Sequence, residues 1–221
     1  MKKVKCYIFD LDGTILDSGA DLLDSLNFAL EQNGLSAVPN RLIGNLVGGG
    51  AEAMIKKALK YYELKIDNRK LTKLIEQFIS FYERNCSNKS SLYENVLEII
   101  KFLKSKGMIL AICTNKMEYL AIKILRELNI SQYFDLIVGS NKKIKLKPNT
   151  EMLEKILFKL KLKEREAIMI GDSEKDIIPA KKLRMRSIFV NYGYGSINDQ
   201  IKANFIVDDI IQLKRIYKNL S

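Results

Sequence analysis

Apolar and polar positions divide this chain near residue 90 into two regimes. It starts with an apolar run, "VKCYIF", that reads as a buried strand from Met1 to Asp10. The run stops abruptly on Asp10 and Asp12, and Gly13 turns the chain at once. From there to about residue 90 the spacing is helical. Leu22, Leu23, Leu26 and Leu30 share one face until Gly34 interrupts them. "AEAMIKKALKYYEL" predicts a second helix after "GNLVGGG", and Leu71, Leu74, Ile75, Phe78 and Tyr82 mark one face of a third.

Beyond residue 90 short apolar runs alternate with helical periods. A helix from about Leu92 ends at "SKG", and the runs "MILAICTN", "YFDLIVGS", "EAIMIGD", "SIFVNYGYG" and "FIVDD" read as strands. Helices are predicted between them, the last a short one after "VNYGYG". Strands apolar on both faces and alternating with helices predict an α/β parallel sheet covered on each side. The division expected is a core from 1–17 and 91–221, with a helical insertion over 18–90.

Composition narrows the chemistry. With no histidine, a Ser-His-Asp triad, a Cys-His dyad and histidine-bound zinc are all excluded within the chain. Cys6, Cys86 and Cys113 form no C-x-x-C pair and read as free, buried thiols. No apolar run approaches the ~20 residues that span a bilayer, so neither membrane nor export is expected and cytoplasmic residence is the default. The formal charge of +11 invites a nucleic-acid reading, but the lysines are spread along the chain and the densest run, "NKKIKLKP", is short. A solvated basic surface without a nucleic-acid partner is the expectation.

In open α/β sheets the reactive groups gather where strands stop. Here those places read "DLDGT", "TNK" and "GDSEKD", with "KLKP" in the loop after the intervening strand. A calcium loop counted from Asp10 would need glycine at its sixth position and glutamate at its twelfth, where Ile15 and Asp21 stand. "DSEKD" also fits a capping box between Ser173 and Asp176. Taken together, Asp10 and Asp172 can converge on one hard cation such as Mg²⁺, which accepts one or two carboxylates. Asp12, two residues on in an extended segment, points the same way as Asp10. Thr114, the Asn115 amide and Lys147 offer donors and positive charge for a phosphoryl group. A carboxylate nucleophile, a neighbouring carboxyl and a metal make a phosphatase without histidine.

These four segments, in order, resemble the motifs of the haloacid dehalogenase superfamily of phosphohydrolases. The resemblance covers essentially the whole chain and implies a Rossmann-like core with a small α-helical cap. It implies Asp10 as nucleophile, Asp12 as the acid and base, and Thr114 and Lys147 as phosphate-binding groups. Mg²⁺ would be bound by Asp10, the Asp12 carbonyl and Asp172, while Asp176 would support the metal or orient Lys147. An aspartate at position 12 implies phosphatase or phosphomutase chemistry. "GNLVGGGAEAMIKKAL" and "VNYGYG" resemble phosphoglycolate phosphatases, and Gly48, Gly49 and Gly50 before a helix suit anion binding by backbone N–H groups. Thr150 stands where the family commonly has a second proline after Lys147-Pro148. The expectation is a monomeric or homodimeric Mg²⁺-dependent phosphatase acting on a small phosphorylated metabolite, phosphoglycolate first. A sugar phosphomutase, a pyrophosphatase or a nucleotidase on the same core are the alternatives.

Overall fold

The computed structural model describes residues 3–141 and 143–220. Met1 and Lys2, where the first strand was predicted to start, Lys142 of the basic run and Ser221 lie outside the described residues. The chain runs β1 (Cys6–Phe9), a two-residue strand β2 (Leu16–Asp17) and α1 (Gly19–Glu31). Next come α2 (Ile43–Leu46), α3 (Ala51–Tyr61), α4 (Asn68–Asn85), and a second two-residue strand, β3 (Ser91–Leu92). The alternating half then follows as α5 (Val96–Ser105), β4 (Ile109–Met117), α6 (Glu118–Glu127) and β5 (Leu136–Ser140). It continues with α7 (Glu151–Leu160), β6 (Ala167–Gly171), α8 (Glu174–Lys182), β7 (Arg186–Val190), β8 (Phe205–Val207) and α9 (Leu213–Leu220).

Six strands form one sheet in the order β5-β4-β1-β6-β7-β8, and each pairing is parallel. The two faces are read from alternate residues. In β1, Tyr7 and Phe9 pack into the core shared with α5, α6, α9 and the helical insert, while Cys6 and Ile8 face α7 and α8. Burial on both sides explains why these strands carry unbroken apolar runs. β1 is central, with β4 and β6 as its neighbours, so the ends of three adjacent strands deliver "DLDGT", "TNK" and "GDSEKD" to one edge.

The helical insert packs α1 against α4, with Phe28 and Phe81 stacked at 4.4 Å between ring centroids. β2 and β3 pair antiparallel, Asp17 opposite Ser91, so the chain leaves the core and returns to it side by side. Asp21, buried in the first turn of α1, accepts bonds from Lys89 N (3.0 Å), Ser90 N (2.8 Å) and Ser90 Oγ (2.7 Å).

Three expectations are corrected. The short helix expected after "VNYGYG" does not form, and the chain there makes bends and turns before β8. Asn198 and Glu174 take its backbone N–H groups instead: Asn198 N reaches Glu174 Oε1 (2.9 Å) and Gln200 N reaches Asn198 Oδ1 (3.0 Å). The helix expected from Leu92 starts at Val96, because β3 claims Leu92 and Asn95 sits in the left-handed region at φ 62°. The strand expected to stop at Asn115 continues to Met117, with a register shift after Cys113 that loosens it where Thr114 and Asn115 stand.

Candidate active site

β1 carries Asp10 to the edge of the sheet, and the turn at Gly13 folds the next residues back against β6. Gly13 sits at φ +86°, and a Cβ there would lie 2.2 Å from Asp172 Oδ2. Only glycine permits this approach. Asp172, at the end of β6, is cradled in turn. Its Oδ2 accepts the N–H groups of Tyr194 and Gly195, each at 2.9 Å. The Tyr194 hydroxyl accepts from Gly19 N (2.7 Å) and donates to Asp17, tying this turn to the start of the insert.

Lys147 is the centre of the charge network. Its buried ammonium lies 2.9 Å from Asp10 Oδ1 and 2.6 Å from Asp176 Oδ1, and donates to Cys113 O at 2.6 Å. Burial works against that charge, yet Asp10 and Asp176 outweigh it and hold the ammonium well above the ordinary lysine range. The Asp176 carboxylate is fully engaged, since Oδ2 accepts from Ser173 N (3.1 Å) and Ser173 Oγ (2.8 Å) as the capping box of α8. Asp176 is thus held by Ser173 on one oxygen and by Lys147 on the other.

One oxygen from each of Asp10, Asp172 and Asp176 lies within 4.8 Å of the other two. Burial, followed by the charges of Asp176 and Asp172 working against Lys147, pushes the Asp10 carboxyl up to about 8. Burial and Asp176 raise Asp172 to about 6 against the two backbone N–H groups. Carboxylates this close and this dry either keep a proton or share a cation. The donors are all carboxylate oxygens, which suits a hard ion such as Mg²⁺.

Asp12 faces a different set of neighbours. Its Oδ1 accepts from Ser18 Oγ (2.5 Å) and pairs with the Lys116 ammonium. Lys116 is almost wholly buried; its Nζ also donates to the Tyr82 hydroxyl of α4 at 2.7 Å and sits 4.8 Å from that ring's centre. Neither Lys116 nor Tyr82 was singled out from the sequence. The signal was present in "TNK", one residue past the predicted pair, but the lysine's direction depends on the register shift in β4.

Thr114 and Asn115 are buried at the end of β4. Thr114 Oγ1 accepts from Lys116 N at 3.1 Å. The Asn115 side chain clamps the Lys147 loop, donating to Lys147 O (3.0 Å) and accepting from Lys147 N (2.8 Å). Gly48, Gly49 and Gly50 take φ of 91°, 93° and 86° and lead into α3. They line a cavity of about 460 Å³ whose floor holds Asp10, Asp12, Thr114, Lys147 and Asp172. Core and insert each supply part of its wall.

A family model described as haloacid dehalogenase-like hydrolase matches residues 7–190. The chain belongs to that family. This haloacid dehalogenase-like hydrolase is 34% identical over 207 residues to the phosphoglycolate phosphatase of Agrobacterium fabrum, covering 93% of this chain and 89% of the relative. It is 33% identical over 198 residues to the phosphoglycolate phosphatase of Aquifex aeolicus, covering 90% of each. The crystal structure of a predicted phosphoglycolate phosphatase from Haemophilus somnus superposes with a TM-score of 0.90 at 30% identity, over 98% of this chain and 99% of that one. The hydrolase is thus a phosphatase of the phosphoglycolate phosphatase-like kind.

Proposed function

We propose that this protein is a Mg²⁺-dependent phosphomonoesterase for a small carboxylated ester, phosphoglycolate first, working through an aspartyl-phosphate at Asp10. The observation that carries the reading is Lys147, which touches Asp10 and Asp176 at once while Asp12 is held apart by Ser18 and Lys116. Two aspartates two residues apart therefore have separate partners and can do separate work. The names of the Agrobacterium and Aquifex relatives point to the substrate.

In the proposed reaction Asp10 attacks phosphorus and the ester P–O bond breaks. Asp12 gives its proton to the leaving oxygen. Asp12 then takes a proton from a water that attacks the aspartyl-phosphate, which releases inorganic phosphate and restores Asp10. The Thr114 hydroxyl would donate to an equatorial phosphoryl oxygen, and the Lys147 ammonium would supply positive charge beside it. Asp10 and Asp172, with Asp176 beside them, would hold Mg²⁺, which when bound supplies positive charge to those oxygens. The helical insert, acting as a cap, encloses the leaving group and excludes bulk water.

The protein should hydrolyse phosphoglycolate and p-nitrophenyl phosphate with Mg²⁺, and stop when EDTA is added. Asp10→Asn should lower kcat by roughly a thousandfold or more, because an amide is not a nucleophile of this kind. Retained activity in that variant would refute the mechanism.

A further inference from the structure

The cavity contains more positive charge than the chemistry at its floor uses. Lys147 is taken up by Asp10 and Asp176, and Lys116 by Asp12. Glu52, on the cavity wall, is paired with Lys56 at 2.6 Å. Asp172 is held by backbone N–H groups. Two lining lysines are left with no carboxylate within ion-pair distance among the described residues: Lys57 on α3 and Lys175 on α8. One comes from the cap and the other from the core.

Both are placed rather than loose. Lys57 Nζ donates to Leu46 O (3.2 Å) and Val47 O (3.4 Å) at the end of α2, which uses two of its three hydrogens. Lys175 reaches from the core to the glycine loop of the cap. A Cβ on Gly49 would stand 2.8 Å from its Nζ, and one on Gly48 at 3.6 Å. With φ at +93°, Gly49 leaves both the backbone conformation and the space that this crossing needs. Burial lowers the Lys57 pKa, and the charge of Lys175 lowers it further. The two ammonium groups therefore repel each other across the mouth between cap and core.

We propose that Lys57 and Lys175 form a two-sided subsite for a second anionic group on the substrate, a carboxylate on the leaving-group side of the ester. This rests on the phosphatase reading above and names what selects its substrate. A carboxylate has one oxygen for each ammonium and replaces their repulsion by two charge-assisted hydrogen bonds. Because one lysine lies on each side of the cleft, the same anion holds cap and core together. An ester lacking it leaves the mouth with an uncompensated pair of like charges, and so binds more weakly.

The test compares phosphoglycolate with ethyl phosphate, a leaving group of the same carbon count without the charge. KM is the readout, since it does not depend on the fraction of folded enzyme. The wild-type protein with Mg²⁺ should show a KM for phosphoglycolate at least tenfold below that for ethyl phosphate. Lys57→Gln and Lys175→Gln should each shrink that ratio by about tenfold, the equivalent of one lost charged hydrogen bond, and Lys175→Arg should largely preserve it. Turnover of both esters with a ratio near one, or a ratio that neither glutamine variant moves, overturns the subsite alone. No turnover of either ester by the wild-type protein overturns the phosphatase reading and the subsite with it.

Discussion

Asp10 and Asp12 show how neighbours give residues of one type different surroundings. Asp10 lies beside Lys147 and faces Asp172, whereas Asp12 is bound by Ser18 and Lys116. The acids are easy to pick out in the sequence because they end an apolar strand. Their supports are harder to find. Nothing in the sequence signals that the Asn115 side chain clamps the Lys147 loop. The basic residue of Asp12, Lys116, is visible only after β4 is seen to shift its register. The cysteines offer a check at this same scale. Burial pushes the Cys6 and Cys113 thiols up to about 12, and raises Cys86 as well. At pH 8 only about one part in ten thousand of Cys6 or Cys113 would be thiolate. The native protein should therefore resist iodoacetamide at pH 8, and all three thiols should react in urea. Prompt labelling of Cys6 or Cys113 in the folded state, read by mass spectrometry, would contradict the buried placement.

The elements the hydropathy pattern resolves best are those long enough to repeat it. α1 and α4 bury Leu26 and Leu74 on their predicted faces, α3 forms where a helix is predicted and buries Ile55, and the central strands bury both of their faces. β2 and β3, two residues each, are too short to show a period. Their pairing comes from tertiary contact, and so does the position of α5 behind it. The ladder is reinforced by Asp21, whose carboxylate satisfies three donors from Lys89 and Ser90. Asp21→Ala would leave those donors buried without partners, and should cost about 2–4 kcal/mol of stability. Urea unfolding is the measurement; a loss below about 0.5 kcal/mol would mean that water replaces the carboxylate freely. The short helix expected near Ser196 failed for the reverse reason. Asn198 and Glu174 bind its N–H groups locally, and polar residues of that kind compete with helix bonds.

At the scale of the molecule the proposed metal site links charge, pH and stability. Without metal, burial raises Asp10 from 3.8 to about 8, so the fold favours its protonated form. That contribution is complete below the unfolded carboxylate range and is lost as pH rises toward about 8. Mg²⁺ needs the carboxylates ionised, so its binding must release protons. Affinity measured by calorimetry should rise between pH 6 and pH 8 and level off above that. Near neutral pH, Mg²⁺ at a hundred times its Kd should add about 2.7 kcal/mol. For a chain of this size the melting temperature should then rise by roughly 5–10 °C. A shift that is flat with pH, or that survives Asp172→Asn unchanged, would place the ion elsewhere.

The β2–β3 ladder has a consequence for how such a protein can diversify. Asp17 and Ser91 face each other as paired strand residues, so the chain departs and returns through points about 5 Å apart. Whatever lies between them has to bring its ends together there and to offer an apolar face to the shared core. A segment of different length or fold, spliced in at those two positions, would leave the register of the parallel sheet and the spacing of Asp10, Lys147 and Asp172 as they are. On the proposed mechanism Asp10, Asp172 and Lys147 lie outside the splice, and a replacement segment would have to supply again what Ser18 and Tyr82 give to Asp12 and Lys116. The ladder is thus a socket: one catalytic body can be refitted with a new selector without being rebuilt.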